Sequence, residues 1–268
     1  MAGLFSFLHQ KFRPEIPPAD PVVRLGEDIS VLAGATMRDM CGRYAFFSPA
    51  DAIKRTFRVE LVPELEPRYN VAPTQDVPVV RVGKEGGREF VMLHWGLVPF
   101  WAKDRAIGNR MINARVESVA DKPAYRDAFR RRRCLVLTDG WYEWQLAVDG
   151  KQPWFIHRQD AQPFAFAGVW ESWTDRENGT QLESCTIVTG TAAKAIHDIH
   201  PRMPIPLADT VWDEWLDNSR SDPGKLLALL ASGSAATFEA WPVSRAVNAP
   251  RNEGPQLIQR IQPAVSET

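Results

Sequence analysis

The chain has 268 residues and a mass of 30.2 kDa, room for one large domain or two small ones. Its 44% hydrophobic and 24% charged residues are close to the globular average, which excludes wholesale disorder, collagen and coiled coil. The 32 Lys+Arg against 33 Asp+Glu leave a formal net charge of -1, which excludes a polycationic protein but not a local basic groove.

In chain order, residues 1–39 stand apart. Residues 15–21, EIPPADP, are linker-like, aromatics are sparse and no periodic pattern emerges. The stretch is expected to be a disordered extension or sequence upstream of the true start, with Met37 and Met40 as alternative starts. One domain is expected over 40–258, followed by a tail at 259–268. Ser48 and Pro49 read as the cap and first turn of a helix leading into AIKRTF. Residues 88–98 suit a buried strand, 122–133 a helix and 134–138 a strand. WYEWQLAV, the turn Asp149-Gly150 and PWFIHR predict a β-hairpin. FAFAGVWESW and ESCTIVTG continue the strand pattern, AAKAIHD and TVWDEWLD are short helices, and GKLLALLAS is an amphipathic helix. Hairpins mixed with scattered helices, without a βαβ rhythm, indicate an α+β fold.

Cys41, Cys134 and Cys185 lie far apart, with no CxxC pair and no Cys/His ligand spacing. That argues against structural zinc and a disulfide scaffold and fits a reducing compartment. No apolar run approaches the ~20 residues of a membrane span. The apolar start at 1–12 lacks a basic leader and a cleavage site, so no secretory signal is expected. A cytoplasmic protein follows as the expectation.

Several residues carry candidate chemistry. Between Trp101 and Leu135 there are ten Lys/Arg and four Asp/Glu, with Trp95, Trp101, Trp141 and Trp144 in or near the stretch. A cationic groove with aromatic platforms holds single-stranded nucleic acid. Equally, the Arg run at 130–133 can be a solvated helix face and the tryptophans core. Cys41 directly follows Met40. If synthesis starts at Met40, removal of one methionine exposes a 1,2-aminothiol, whose amine forms a Schiff base with an aldehyde and whose thiolate closes a thiazolidine. Glu143, in GWYEW, sits in surroundings expected to raise its pKa toward the range of a proton-transfer group. His200 and Arg202, in IHPRMP, place a proton shuttle and a cation on one loop. Asn113 and Arg115, in INARVE, have the residue types for orienting a nucleophile and holding a phosphate.

CGRYA, RYNVAPTQ, HWGLVPFWAKD, MINARVESV, KPAYRDAFRRRRCLVLTDGWYEW and IHPRMP, in this order, resemble the SOS-response-associated peptidase (SRAP) family, and VNAPRNEGPQLI is similar to its C-terminal signature. The resemblance implies a compact α+β domain around a twisted, barrel-like antiparallel β core with peripheral helices. It also implies an abasic-site processing protein that sheds Met40, autocatalytically or through an aminopeptidase. The exposed cysteine then cross-links to the ring-opened sugar of abasic single-stranded DNA, with a lyase side activity. Cys41 matches the nucleophile, Glu143 the catalytic carboxylate, Asn113 the positioning asparagine and His200 the histidine that assists ring opening. Arg43, Arg115 and Arg202 match phosphate-contacting arginines, and Pro73 with Trp95 or Trp101 the wedge against the bases. No metal or organic cofactor is expected; the protein is expected to be a monomer, associated with the nucleoid during DNA damage. Two features depart from the family pattern. Pro201 follows His200 where a polar residue is usual, which makes His197 a competitor, and 39 residues precede Met40 where the family begins Met-Cys. Two other classes of function fit the same residues: a non-covalent single-strand binding module, and a cysteine peptidase using Cys41, His200 and Asn113.

Overall fold

A computed structural model of the chain describes residues 42–231 and 237–262. Met40 and Cys41, the extension 1–39 and the end of the tail therefore lie outside the described residues. The strands form two sheets. In the first, β3 (Asp76–Val82) pairs antiparallel with β4 (Arg88–Trp95) and with β6 (Arg133–Thr138). β6 pairs with β9 (Phe164–Thr174), and β9 with β10 (Gln181–Thr191), through Cys134↔Gly168 and Cys185↔Trp170. β10 then meets β4 in parallel at Ser184↔His94 and Cys185↔Trp95, closing a five-stranded barrel. The α+β class and the barrel-like core are as the sequence leads one to expect, but the barrel is mixed rather than antiparallel. β4 reaches β10 only after a long stretch of chain, so no tight hairpin dictates its direction. Strand β6 is buried along its whole length, and it carries the apolar run at 134–137 before the buried Thr138.

The second sheet is antiparallel, in the order β12 (Phe238–Pro242), β8 (Gly150–Arg158), β7 (Gly140–Ala147), β1 (Tyr44–Phe46), β2 (Arg68–Val71). An aromatic layer joins it to the barrel. Tyr44 packs on Trp95 (ring centroids 5.4 Å) and Phe166, while Trp141 stands edge-on to Phe164, Phe166 and Phe238. Each such ring contributes about 1.5–3 kcal/mol by leaving water, so this layer holds the two sheets in a fixed relation.

The hairpin β7–β8 forms as expected, with a shift of the turn. Ala147 pairs with Gly150, leaving Val148 and Asp149 as the loop, and Gly150 supplies the positive φ of 114°. The helix α1 (Ala50–Phe57) starts one residue late because Pro49, not Ser48, is its cap. Ser48 is diverted to Asp139 instead. The buried Asp139 carboxylate accepts from the backbone N–H of Phe47 (2.6 Å) and Ser48 (2.8 Å) and from the Ser48 hydroxyl. α2 (Arg126–Arg131) covers only the middle of the expected 122–133 segment, since Arg133 already belongs to β6. The three later helices, α3 (Lys194–His197), α4 (Trp212–Leu216) and α5 (Pro223–Ala231), fall where the sequence places them.

Asp139 therefore fastens the exit of β1 beside the start of β7. Its replacement by Ala leaves two backbone donors without their acceptor and is expected to cost about 2–4 kcal/mol. The measurement is a fall in urea midpoint with an unchanged slope. An unchanged midpoint would show the contact to be dispensable.

Candidate active site

Glu143 sits on β7, its side chain only 2% exposed. The β1–β7 pairing, Tyr44↔Trp141 and then the Tyr142 N–H donating to the Arg43 carbonyl (3.0 Å), brings the chain leading to Gly42 level with Glu143. Tyr142, the neighbour of Glu143, is locked in the other direction by donating its hydroxyl to the Tyr69 carbonyl at 2.6 Å, and burial pushes its phenol well above the usual value.

The other half of the site is built on the far end of β10. β5 (Asn113–Arg115) runs parallel to it at Ile187–Thr189, and β11 (Arg202–Pro204) antiparallel at Thr189–Thr191. Asn113, Arg115 and Arg202 thus belong to three-stranded sheet rather than to loops. His200 lies in the connection between α3 and β11. Its Nδ1 is 3.8 Å from Glu143 Oε2 and 2.8 Å from the Arg202 carbonyl. Gln145 on β7 donates to the Asp198 carbonyl (3.0 Å), which fastens that connection to the strand bearing Glu143. His197, in contrast, is exposed on α3. The structure therefore places His200, not His197, beside the carboxylate, and Pro201 does not prevent it.

The arginines are partly engaged already. Arg202 donates through both terminal nitrogens to Glu117 (2.8 and 3.0 Å) and to the Thr189 carbonyl (3.0 Å). Arg43 donates to Asn70 Oδ1 and the Val247 carbonyl, both at 2.7 Å, and burial lowers its pKa. Asn70 is fully buried and donates onward to the carbonyls of Val247, Ala249 and Asn252. The C-terminal segment that carries VNAPRNEG is thereby tied to Arg43. Glu117 closes the INARVE motif and Asn70 lies inside RYNVAPTQ, yet nothing in either motif points to these partners. Both residue types recur at buried or paired positions too often for sequence alone to single them out.

Two expectations about the basic and aromatic stretch are corrected. Trp95 is completely buried, packs on Tyr44 and donates its indole N–H to the Ile112 carbonyl (2.9 Å), so it has no face to offer a base. Trp101 is 42% exposed beside exposed Phe100, above a shallow hollow lined also by Lys103, Ile107 and Arg110. Pro73 is half-buried, in a turn where the Thr74 N–H donates to the Trp95 carbonyl, so Pro73 shares one rim with the WGLVPFW segment. That rim depends on a close backbone crossing. A Cβ on Gly96 (φ 142°) would meet the Gly108 carbonyl oxygen at 2.7 Å. Within the Arg run, Arg133 is buried and donates to the carbonyls of Phe129, Arg130, Trp215 and Asp217, while Arg132 pairs with the buried Glu171 at 2.7 Å. These two are structural, and no groove is built from them.

The family model for the SOS response associated peptidase (SRAP) matches residues 40–250. The chain is 41% identical to the abasic site processing protein YoqW of Bacillus subtilis over 224 residues, covering 82% of this chain and 99% of that protein. It is 34% identical to the abasic site processing protein YedK of Escherichia coli, covering 83% and 100%. A solved structure of a protein from Bacteroides thetaiotaomicron shares the fold, with a TM-score of 0.72 at 24% identity, covering 83% of this chain and all of that one. This chain belongs to the SRAP family.

The two tryptophans give a direct test of the site's geometry. Trp95→Ala is expected to cost about 3–5 kcal/mol of stability, as a large core deletion does. Trp101→Ala should leave stability within about 0.5 kcal/mol of wild type in urea unfolding, as surface changes do. A loss of stability in Trp101→Ala as large as that of Trp95→Ala would show the two side chains to be packed alike.

Proposed function

We propose that this protein captures abasic sites in single-stranded DNA by covalent linkage through Cys41, once Met40 has been removed and the cysteine amine is free. The observation that carries the reading is the buried Glu143 facing His200 at 3.8 Å, on the strand whose pairing leads directly back to Gly42. The names of the relatives, abasic site processing proteins, support the same substrate. No helix among the described residues is long and apolar enough to cross a membrane.

The chemistry balances without an added reagent. The abasic deoxyribose opens to an aldehyde, and the Cys41 amine adds to its carbonyl carbon. The resulting carbinolamine loses water to give an imine. The thiolate then adds to the imine carbon, and the nitrogen takes up the proton that the thiol released, closing the five-membered thiazolidine. His200 and Glu143 move protons during ring opening and dehydration. The same imine acidifies the adjacent C–H of the sugar, so β-elimination of the 3′ phosphate is the lyase side reaction. Arg43, Arg115 and Arg202 hold the backbone, and Asn113 orients the cysteine. Pro73 and Trp101 form the wedge at the lesion, where bending is easiest without a complementary strand.

A chain expressed from Met40 should lose one methionine by mass and form an adduct with abasic single-stranded DNA that survives boiling in detergent. Cys41→Ala should abolish it, whereas Cys134 and Cys185, both buried, should be replaceable without losing the adduct. Salt-reversible binding with no adduct would establish a non-covalent module, and cleavage of added peptides a general peptidase. Glu143→Gln should bind DNA normally but form the adduct about 10²–10⁴ times more slowly. His200→Ala should slow ring opening while His197→Ala behaves as wild type; the reverse result would move the proton shuttle to His197.

A further inference from the structure

The fork of Arg202 is already filled. Its two terminal nitrogens meet the two oxygens of Glu117 at 2.8 and 3.0 Å, the parallel arrangement by which a guanidinium also grips the two non-bridging oxygens of a phosphodiester. The Glu117 side chain is 52% exposed, against 20% for Arg202, so the carboxylate is the partner free to leave. Its bonds to Arg202 keep the carboxyl below its usual range despite some desolvation, and the charge of Arg115 adds to the effect. Two of the three arginines assigned to phosphate therefore act on this one carboxylate. Arg202 has a second anchor that does not involve Glu117. It donates to the Thr189 carbonyl at 3.0 Å, an oxygen that also receives the Val116 N–H at 2.9 Å and is fixed in the β5–β10–β11 sheet. If Glu117 swings out, Arg202 stays aimed.

We infer that Glu117 is an internal stand-in for phosphate, occupying the seat on Arg202 that a DNA backbone phosphodiester takes when the strand enters. The inference rests on the single-strand reading above and adds a residue that sets affinity rather than chemistry. A half-exposed ion pair is weak enough to exchange. The exchange keeps Arg202 paired in both states and charges every encounter the same toll, so tight capture depends on the further contacts made at a lesion. Undamaged strand binding is accordingly held down.

The test uses labelled oligothymidylate without any lesion, followed by fluorescence anisotropy across salt. Glu117→Gln should bind about 1.5–5-fold more tightly than wild type at low salt, an exposed ion pair's measure. Its plot of log affinity against log salt should be steeper by up to about one charge, because the wild-type protein recaptures a cation on the released Glu117. The gain should vanish in an Arg202→Ala background. Weaker binding by Glu117→Gln, or an equal affinity and slope, would overturn the inference and make Glu117 a mere brace for Arg202. No salt-dependent binding by wild type would instead bring down the single-strand reading on which it stands.

Discussion

A strand in a sheet has two hydrogen-bonding edges, and β10 is long enough to use each of them twice. Along Gln181–Ile187 it holds β9, and at Ser184–Cys185 it takes β4 in parallel, which closes the barrel. Beyond that point the barrel has no further use for it, and Ile187–Thr191 receives β5 on one side and β11 on the other. Asn113, Arg115 and Arg202 are set by this second use, in a register that cannot slip without disturbing the closed ring below it. Positioned groups on paired strands lose little freedom when a substrate arrives, which is the structural condition for fast chemistry at a fixed point. The opposite wall, β7 with Glu143, is held against the barrel by the aromatic layer around Trp141 and by the Gln145–Asp198 link.

The cations show how little a charge count says by itself. Ten basic residues between Trp101 and Leu135 suggest a continuous groove. In the folded chain Arg133 instead closes the ends of α2 and α4 through four backbone carbonyls, and Arg132 neutralises a buried glutamate. A guanidinium with five donors suits that role as well as it suits phosphate. The three arginines matched to the family pattern come from separate places, β11, β5 and the residue before β1. Each is restrained by a partner within the protein or by the sheet it belongs to.

Much of this was legible in the sequence because the relevant signals are local. Strand β6 announces itself as an apolar run, β7–β8 as a hairpin around an Asp-Gly pair, and Glu143 as a carboxylate among aromatics. The family motifs then offered the candidate site residues in order. What was not legible is set by distant partners. Ser48 loses its capping role because Asp139, 91 residues away, takes its hydroxyl. The direction of β4 against β10 follows from ring closure, which no window of sequence contains. Trp95 and Trp101 are the same residue type in one motif. Only the packing of Tyr44 on the first and the exposure of the second separate core from surface.

The histidine shows the same dependence on distant geometry and carries a chemical consequence. His200 Nδ1 lies 2.8 Å from the Arg202 carbonyl, an oxygen that can only accept. The Arg202 N–H also approaches Nδ1, at 3.2 Å. The shorter contact decides, because an unprotonated nitrogen would set lone pair against lone pair at that distance. In the neutral ring the proton therefore resides on Nδ1, and Nε2 is left as the basic nitrogen. Glu143 Oε2, at 3.8 Å from Nδ1, stands beside the ring but beyond hydrogen-bond reach of that nitrogen. The carbonyl thus selects which nitrogen is basic, and the carboxylate stands on the same side of the ring. The β11 backbone and the β7 side chain meet at His200 because both are anchored to the same closed barrel.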